Sequence, residues 1–521
     1  MKGWRFLLLN GAAGAANVVM LSNVPGYTVL APYAAGSLQG VTPSYGTWAT
    51  TDHMIGIALG LPLSRWFSGR FGDYRALAAA LVAYAIFSLM CAASETIWFF
   101  ASMRFLLGLA GGVALPLAQS VTLAQYKDDQ RTLGVGFWGV MSMAPFTIGV
   151  FMGGFWAEYF NWRWLFYSNV VIVLLVAGVI AALFFGRGFE RRIARFDMIG
   201  FILLATVLVG VQTILNMGND FDWFASPLLA WLFLVVLLAL PMFIFWEFGE
   251  RRPALDLRLF LHRNFAIATF CSLIGFLVVQ GLLSVFVVQL QVLLGYTSSL
   301  AGMVYLAMIF LAMAAAAVVH ELTRNVDARL IAFLNFIGFA VTFAWLGRYD
   351  RSASFDNVTT PMFFFGFSLA MFFAPLATLA MTGLSGQRLI RAAEELAMLR
   401  TVFGAFGITL LGVVFFRRTP FHQLDLADQF GGRRFASLDL LTSFLDRMQA
   451  LGMSEEAARG RAAQLIRQQA AILALNDAFL IGAMTFVCLA GIIWLAYPSY
   501  ASKKRRQALE RLAAEELMEQ P

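Results

Sequence analysis

Gly139 to Asn169 reads GVMSMAPFTIGVFMGGFWAEYFNWRWLFYSN, and this stretch decides the fold. It holds an apolar run long enough to cross a bilayer, punctuated by Gly149, Gly153 and Gly154. Glycine at i, i+4 and i+5 strips the side chains from one helix face, so a neighbouring backbone can come close. In a soluble helix each such glycine costs about 1 kcal/mol; in a membrane, close packing offsets it. The run ends in Asn161-Trp162-Arg163-Trp164, a polar and aromatic cluster suited to a membrane interface. A second apolar run follows at once, so the stretch predicts a tight helical hairpin.

The rest of the chain has the same character. Hydrophobic residues make up 60% of its 521 positions and charged residues 13%, with a mean hydropathy of +0.75. Those values exclude an ordinary soluble domain, and repeated apolar runs of about 20 residues mean many helical spans. The net charge of +7 is explained by topology and implies no nucleic-acid partner. Cys91, Cys271 and Cys488 each fall inside an apolar run, with neither a disulfide framework nor a zinc spacing. Lys2 and Arg5 precede a segment too long for a cleaved signal, which reads as an uncleaved anchor.

Spans are expected near 12–36, 45–64, 74–93, 97–120, 133–157, 164–185, 197–217, 227–248, 265–292, 299–321, 330–347, 360–382, 393–416 and 477–497. Fourteen spans put both termini on one side, the cytoplasmic one by the distribution of Lys and Arg. Segments assigned to that side carry 24 of the 37 basic residues, the short outer loops only Arg163, Arg348 and Arg351. Arg104 and Arg400 lie within spans.

Several motifs, taken in order, resemble one family: the major facilitator superfamily, in its fourteen-helix drug:proton antiporter branch of the EmrB and QacA type. Gly149-Val150-Phe151-Met152-Gly153-Gly154 is similar to the fifth-helix antiporter motif, with Val150 where the family has proline. The loop Leu61 to Gly72 resembles that between helices two and three, with Arg70 and Gly72 in place and Arg65 where glycine is usual. The resemblance implies that this loop latches one state through charge pairs at helix ends. Arg104-x-x-x-Gly108 resembles the fourth-helix motif, and Arg400 with Gly404 and Gly407 that of helix thirteen. What it implies is an all-α polytopic membrane protein of the major facilitator fold: two six-helix bundles, residues 1–185 and 263–521, around two extra spans within 186–262.

Asp52 and His53 are the most informative polar pair. Asp52 and Arg104 sit about seven residues from the outer ends of helices two and four, hence at one depth, roughly 10 Å in at 1.5 Å per residue. Opposite charges at one depth are expected to pair. A carboxylate there can also take up and release a proton, so Asp52, Arg104 and His53 are the candidates for proton coupling. The family usually carries an acidic residue in helix one where this chain has Ser22. Glu394 with Glu395, and Asp477, are expected to open helices thirteen and fourteen, where acidic residues suit the first turn. Asn17, Asn23 and Pro25 in helix one, and Gln280, Gln289 and Gln291 in helix nine, are expected to interrupt their spans. Such polar, broken helices in corresponding halves point to a midplane site, with Asn17, Asn23, Gln280 and Gln289 as substrate-binding candidates. Arg70, Gly72, Gly149, Gly153, Gly154 and Arg400 are expected to serve gating and helix packing.

Residues 417–476 are expected to lie outside as two amphipathic helices on the membrane or on a partner, and Lys503 to Arg506 to open a cytoplasmic tail (498–521) held by anionic headgroups. The reading that results is proton-coupled efflux of small amphipathic or toxic organic compounds across a bacterial inner membrane. The alternatives are an exporter of one metabolite with different coupling, or a transporter-like sensor. The four histidines are too scattered for an enzyme site, and neither cofactor nor metal is expected. Partners are a small-molecule substrate, protons, the bilayer and, by resemblance, a periplasmic membrane-fusion adaptor with an outer-membrane channel.

Overall fold

The computed structural model describes residues 3–39, 43–127, 131–186, 196–250, 253–348, 353–430 and 435–499, and these are almost entirely helical. The tail after Ser499 and the basic cluster Lys503 to Arg506 lie outside the described residues. In chain order the helices are α1 (Trp4–Ser37), α2 (Pro43–Phe71), α3 (Asp73–Ala92), α4 (Ile97–Leu123), α5 (Arg131–Tyr159) and α6 (Trp164–Leu183). Then come α7 (Met198–Gly218), α8 (Pro227–Gly249), α9 (Arg263–Val292), α10 (Ser298–Leu306) and α11 (Met308–Asn325). The last are α12 (Ala328–Leu346), α13 (Phe355–Ala380), α14 (Gly386–Phe430), α15 (Phe435–Ala450) and α16 (Glu455–Ile492).

Among the described residues thirteen segments are long and apolar enough to cross a membrane, one of them running from α10 into α11. The fourteenth is α2, whose 29 residues are long enough but whose Thr50-Thr51-Asp52-His53 run lowers its hydropathy. The fourteen-span fold therefore stands, and the chain is a multi-pass membrane protein. The face at which α1 begins, with Arg65 and Arg70 near the end of α2, is the basic face; the other is the opposite face.

The helices start where side chains can satisfy the free backbone N–H groups of a first turn. Thr96 accepts from Phe99 N, Asp197 from Gly200 N and Ser454 from Ala457 N. Gly72, at φ +85, reverses α2 into α3 within one residue, a conformation that a Cβ disfavours. One apolar core draws mainly on α1, α3, α4 and α6; a larger one joins α9 to α14 and α16 with residues of α2 and α7.

Four expectations are corrected. α1 and α9 run unbroken, α1 with Pro25 and Pro32 inside it; the interrupted span is instead α10–α11, at Ala307. Helix thirteen does not end near 416, because α14 continues to Phe430, and α16 begins at Glu455 rather than near 477. A fall in hydropathy marks where a span ends, but Arg417 and Arg418 do not stop a helix. Of the two helices expected in 417–476, the first is present as the separate α15, whereas residues 417–430 and 455–476 are continuations of two long rods. Consequently Asp477 lies deep inside α16, and Glu394 and Glu395 lie past the second turn of α14. None of the three is in a first turn.

Candidate functional site

A cavity of about 390 Å³ lies between mid-height and the basic face, where α1, α2 and α5 meet α9, α11, α13 and α14. Its walls are apolar, with Met54, Met143, Phe146, Phe276 and Phe373 the bulkiest. Ser142, Gln280, Thr401 and Arg400 supply its polar groups. Its size and lining are those of a small-molecule site. The Arg400 guanidinium carbon stands 4.4 Å from the Phe373 ring centre and 5.7 Å from that of Phe276, close enough for cation–π attraction.

Of the four residues expected to bind substrate, Gln280 lines this cavity. Asn17 spends its amide on the Met141 carbonyl at 3.0 Å, tying α1 to α5. Asn23 is fully buried and serves Arg104, and Gln289 is buried in α9 outside the lining.

Toward the opposite face the two halves are sealed by the glycine run. A Cβ at Gly149 would sit 2.8 Å from the Pro25 ring, and one at Gly153 would strike the Gly26 carbonyl, both on α1. Gly154 turns the other way: its Cβ would strike the Ser298 carbonyl of α10, in the other half. Gly302 returns the contact, with Phe151 Cα 2.8 Å from where its Cβ would be. Polar bonds flank this seam. Tyr33 Oη and Ser298 Oγ are 2.7 Å apart, and Ser299 N donates to Glu158 Oε2 at 3.0 Å. Trp162 Nε1 donates to Ser37 Oγ, and Arg163 donates to the Ala92 and Ser94 carbonyls, so the hairpin turn pins the ends of α1 and α3.

Arg104 is fully buried. Its NH1 donates to Asn23 Oδ1 at 2.8 Å and its Nε to the Ala49 carbonyl at 3.1 Å. The guanidinium also lies 4.5 Å from the Tyr27 ring centre. No ion pair to Asp52 is among the described contacts, contrary to the expected pairing. Equal depth fixes height, not direction: Asp52 looks away from α1, into a crevice of about 400 Å³ between α2, α4 and α7. There Asn216 Nδ2 approaches Asp52 Oδ1 at 3.5 Å. The same Asn216 bonds Thr51 and Gln212, and accepts from Thr409 of α14 at 2.9 Å. His53 Nδ1 lies 3.1 Å from the Arg104 carbonyl; a carbonyl only accepts, so Nδ1 carries the proton, and buried Nε2 has no partner among the described residues. Asp52 and the cavity therefore use two sides of one helix, since Met54 and Ile57 of α2 do line it.

At the basic face Arg65 of α2 and Glu394 of α14 form an ion pair across the two halves. The expected gating residue Arg70 is exposed, and Arg65, which departs from the usual motif, makes the crossing contact. Glu395 Oε1 accepts from Asp256 N at 2.7 Å, fastening the 253–262 connection to α14. Gly108 and Gly112 of α4 lie against the His53 and Ile57 carbonyls of α2. Far along α14, Arg418 and His422 both bond Asp477 of α16, at 2.6–2.7 Å. Sequence reading missed the Gln212–Asn216–Thr409 network. Its signal was three polar residues in otherwise apolar spans. Among the described residues no cluster of metal-ligating side chains is present.

A model described as the Major Facilitator Superfamily matches residues 12–392. The fatty acid resistance protein FarB of Neisseria gonorrhoeae is 29% identical, the match covering 91% of this chain and 92% of FarB. The multidrug export protein EmrB of Escherichia coli (strain K12) is 27% identical, over 96% and 97% of the two chains. Among solved structures, a bacterial homologue of the human lysosomal transporter Spinster, inward-facing and occupied, superposes with a TM-score of 0.58 at 12% identity, over 95% of this chain and 97% of that one. The POT family transporter PepTSo also gives a TM-score of 0.58, at 13% identity, over 95% and 99%.

Proposed function

Because the chain belongs to the Major Facilitator Superfamily, we propose that it exports small amphipathic or toxic organic compounds by proton-coupled alternating access. The cavity carries this reading: it is apolar, of small-molecule size, shared by both halves, and shut toward the opposite face by the α5–α10 seam. The names of FarB and EmrB support it, since both denote resistance or export. The basic face is then cytoplasmic, both termini lie there, and the membrane is a bacterial inner one. Residues 1–185 and 263–521 are the halves that rock, with 186–262 supplying the two extra spans.

Asp52 is the proposed proton site, with Arg104 and His53 as the groups that hold its helix in place. Its position beside Asn216 means that protonation and substrate do not meet in one cavity; α2, which borders both, links them. Linkage still requires substrate affinity to fall as Asp52 takes up its proton. Purified protein in liposomes with an imposed pH gradient tests this. Asp52→Asn should bind substrate with little pH dependence and fail to drive uphill transport; full gradient-driven transport would remove Asp52 from the mechanism.

The rods of α14 and α16 with α15 between them are proposed to meet a periplasmic adaptor and, through it, an outer-membrane channel. Deleting 425–470 should leave folding intact and abolish export beyond the outer membrane; unchanged drug resistance in that strain would refute it. A cysteine at Gln449 should react from the periplasmic side only.

A further inference from the structure

Among the described residues Arg400 is the one charged residue lining the cavity, and none of them gives it a counter-ion. Among the described contacts it has neither a hydrogen bond nor an ion pair, only the ring faces of Phe373 and Phe276. The carboxylates nearest along its own helix are engaged elsewhere, Glu394 by Arg65 and Glu395 by Asp256 N. Asp52 looks out on the far side of α2. A guanidinium in apolar surroundings is costly unless an anion and hydrogen-bond acceptors complete it. Arg104 shows what completion looks like in this chain, with acceptors on Nε and NH1. Arg400 has its aromatic bed and no acceptor.

We propose that the substrate supplies it: Arg400 is the anion receptor of the cavity, and the exported compound is an amphipathic organic anion. A carboxylate or sulfonate matches the planar fork of the guanidinium, while an aromatic or alkyl body fits against Phe146, Phe276, Phe373 and Met54. The same charge repels lipophilic cations, so the site discriminates by exclusion as well as by attraction. This assignment rests on the efflux reading and narrows it, and it moves Arg400 from helix packing to substrate recognition.

The test compares three probes with one body, naphthalene bearing a carboxylate, a trimethylammonium or a hydroxymethyl group. Binding to the full-length protein in nanodiscs of zwitterionic lipid is followed by naphthalene fluorescence. The carboxylate should bind at least tenfold more tightly than the ammonium. Arg400→Gln should lose at least tenfold for the carboxylate and leave the neutral alcohol unchanged, and Arg400→Lys should recover part of the loss. Equal binding of all three, unaltered in Arg400→Gln but abolished by filling the cavity with Ala374→Trp, would overturn the anion assignment alone. Binding that survives Ala374→Trp would overturn the cavity reading and the assignment with it.

Discussion

The Arg104 guanidinium donates to Asn23 Oδ1 at 2.8 Å, and the Asn23 amide donates in turn to the Tyr84 hydroxyl at 2.8 Å. One asparagine thus joins α1, α3 and α4, and it satisfies a cation that has no carboxylate partner among the described residues. Hydrogen bonds to a charged group contribute about 1.5–3 kcal/mol, so Asn23→Ala should lower stability by about 2 kcal/mol. Arg104→Ala should cost more, about 3–5 kcal/mol, because it opens a cavity beside Tyr27 and leaves the Asn23 Oδ1 and Ala49 carbonyl acceptors unpaired. Thermal unfolding in detergent checks both. Wild-type unfolding of Asn23→Ala would show that the asparagine is not structural.

Gly154 admits no side chain while the α5–α10 seam is shut, whereas a Cβ at Gly136 on the same helix meets nothing within 4 Å. Gly154→Ala should therefore oppose the shut seam by about 1–3 kcal/mol of overpacking, close to a tenfold shift or more in that equilibrium. Gly136→Ala should be neutral or slightly stabilising. Labelling of a cysteine placed at Ser299, which is buried in the shut seam beside Glu158, measures seam opening. Equal labelling in the two variants would refute the steric argument.

Arg65 and Glu394 join the halves at the basic face, but the Arg65 side chain is 49% exposed. Solvent screening limits such a pair to at most about 1 kcal/mol. Arg65→Glu should raise cavity access from that face about three- to fivefold, and the swap Arg65→Glu with Glu394→Arg should reverse most of the rise. Reactivity of a cysteine at Ala377 with a charged reagent reads this out. A swap no better than the single change would mean that the pairing does not latch the halves.

Asp327 caps α12 at the basic face. Burial pushes its carboxyl up, but hydrogen bonds from the Arg329 side chain and backbone, with the guanidinium charge, outweigh that and hold it below its ordinary value of 3.8. Ser499 Oγ also donates to it at 3.3 Å, which ties the α11–α12 turn to the chain just after α16. A folded-state value below the unfolded one means that the contribution is full above pH 3.8 and is lost as pH falls through the lower folded value. Wild type should exceed Asp327→Asn in unfolding temperature at pH 7, and the gap should close in strong acid. A gap that stays constant with pH would assign the difference to packing instead.

How far the chain could be read in advance depended on what each residue reports. Gly149, Gly153 and Gly154 reported close approach, because missing side chains at helical spacing have few other uses in a membrane. They did not report that Gly153 and Gly154 face different partners, since azimuth against the other half is set by tertiary packing. Hydropathy located the spans but not the ends of α14 and α16, where helix and bilayer end at different residues. For Asp52 and Arg104, depth was legible and direction was not. Neutral Asn23 and Asn216 took the places that charge matching gave to the ions.

The adjacent glycines Gly153 and Gly154 have one further consequence, a mechanical one. Each is pressed against a different half, so the peptide between them lies at a fulcrum, and it is near one end of α5. From Gly154 to the start of α5 at Arg131 the lever arm is about 35 Å at 1.5 Å per residue. Each degree of rotation about that point then moves the far end by about 0.6 Å, and about 10° opens a passage roughly 6 Å wide. Motion too small to part the backbones at the fulcrum is enough, at the other end of the same helix, to admit a molecule.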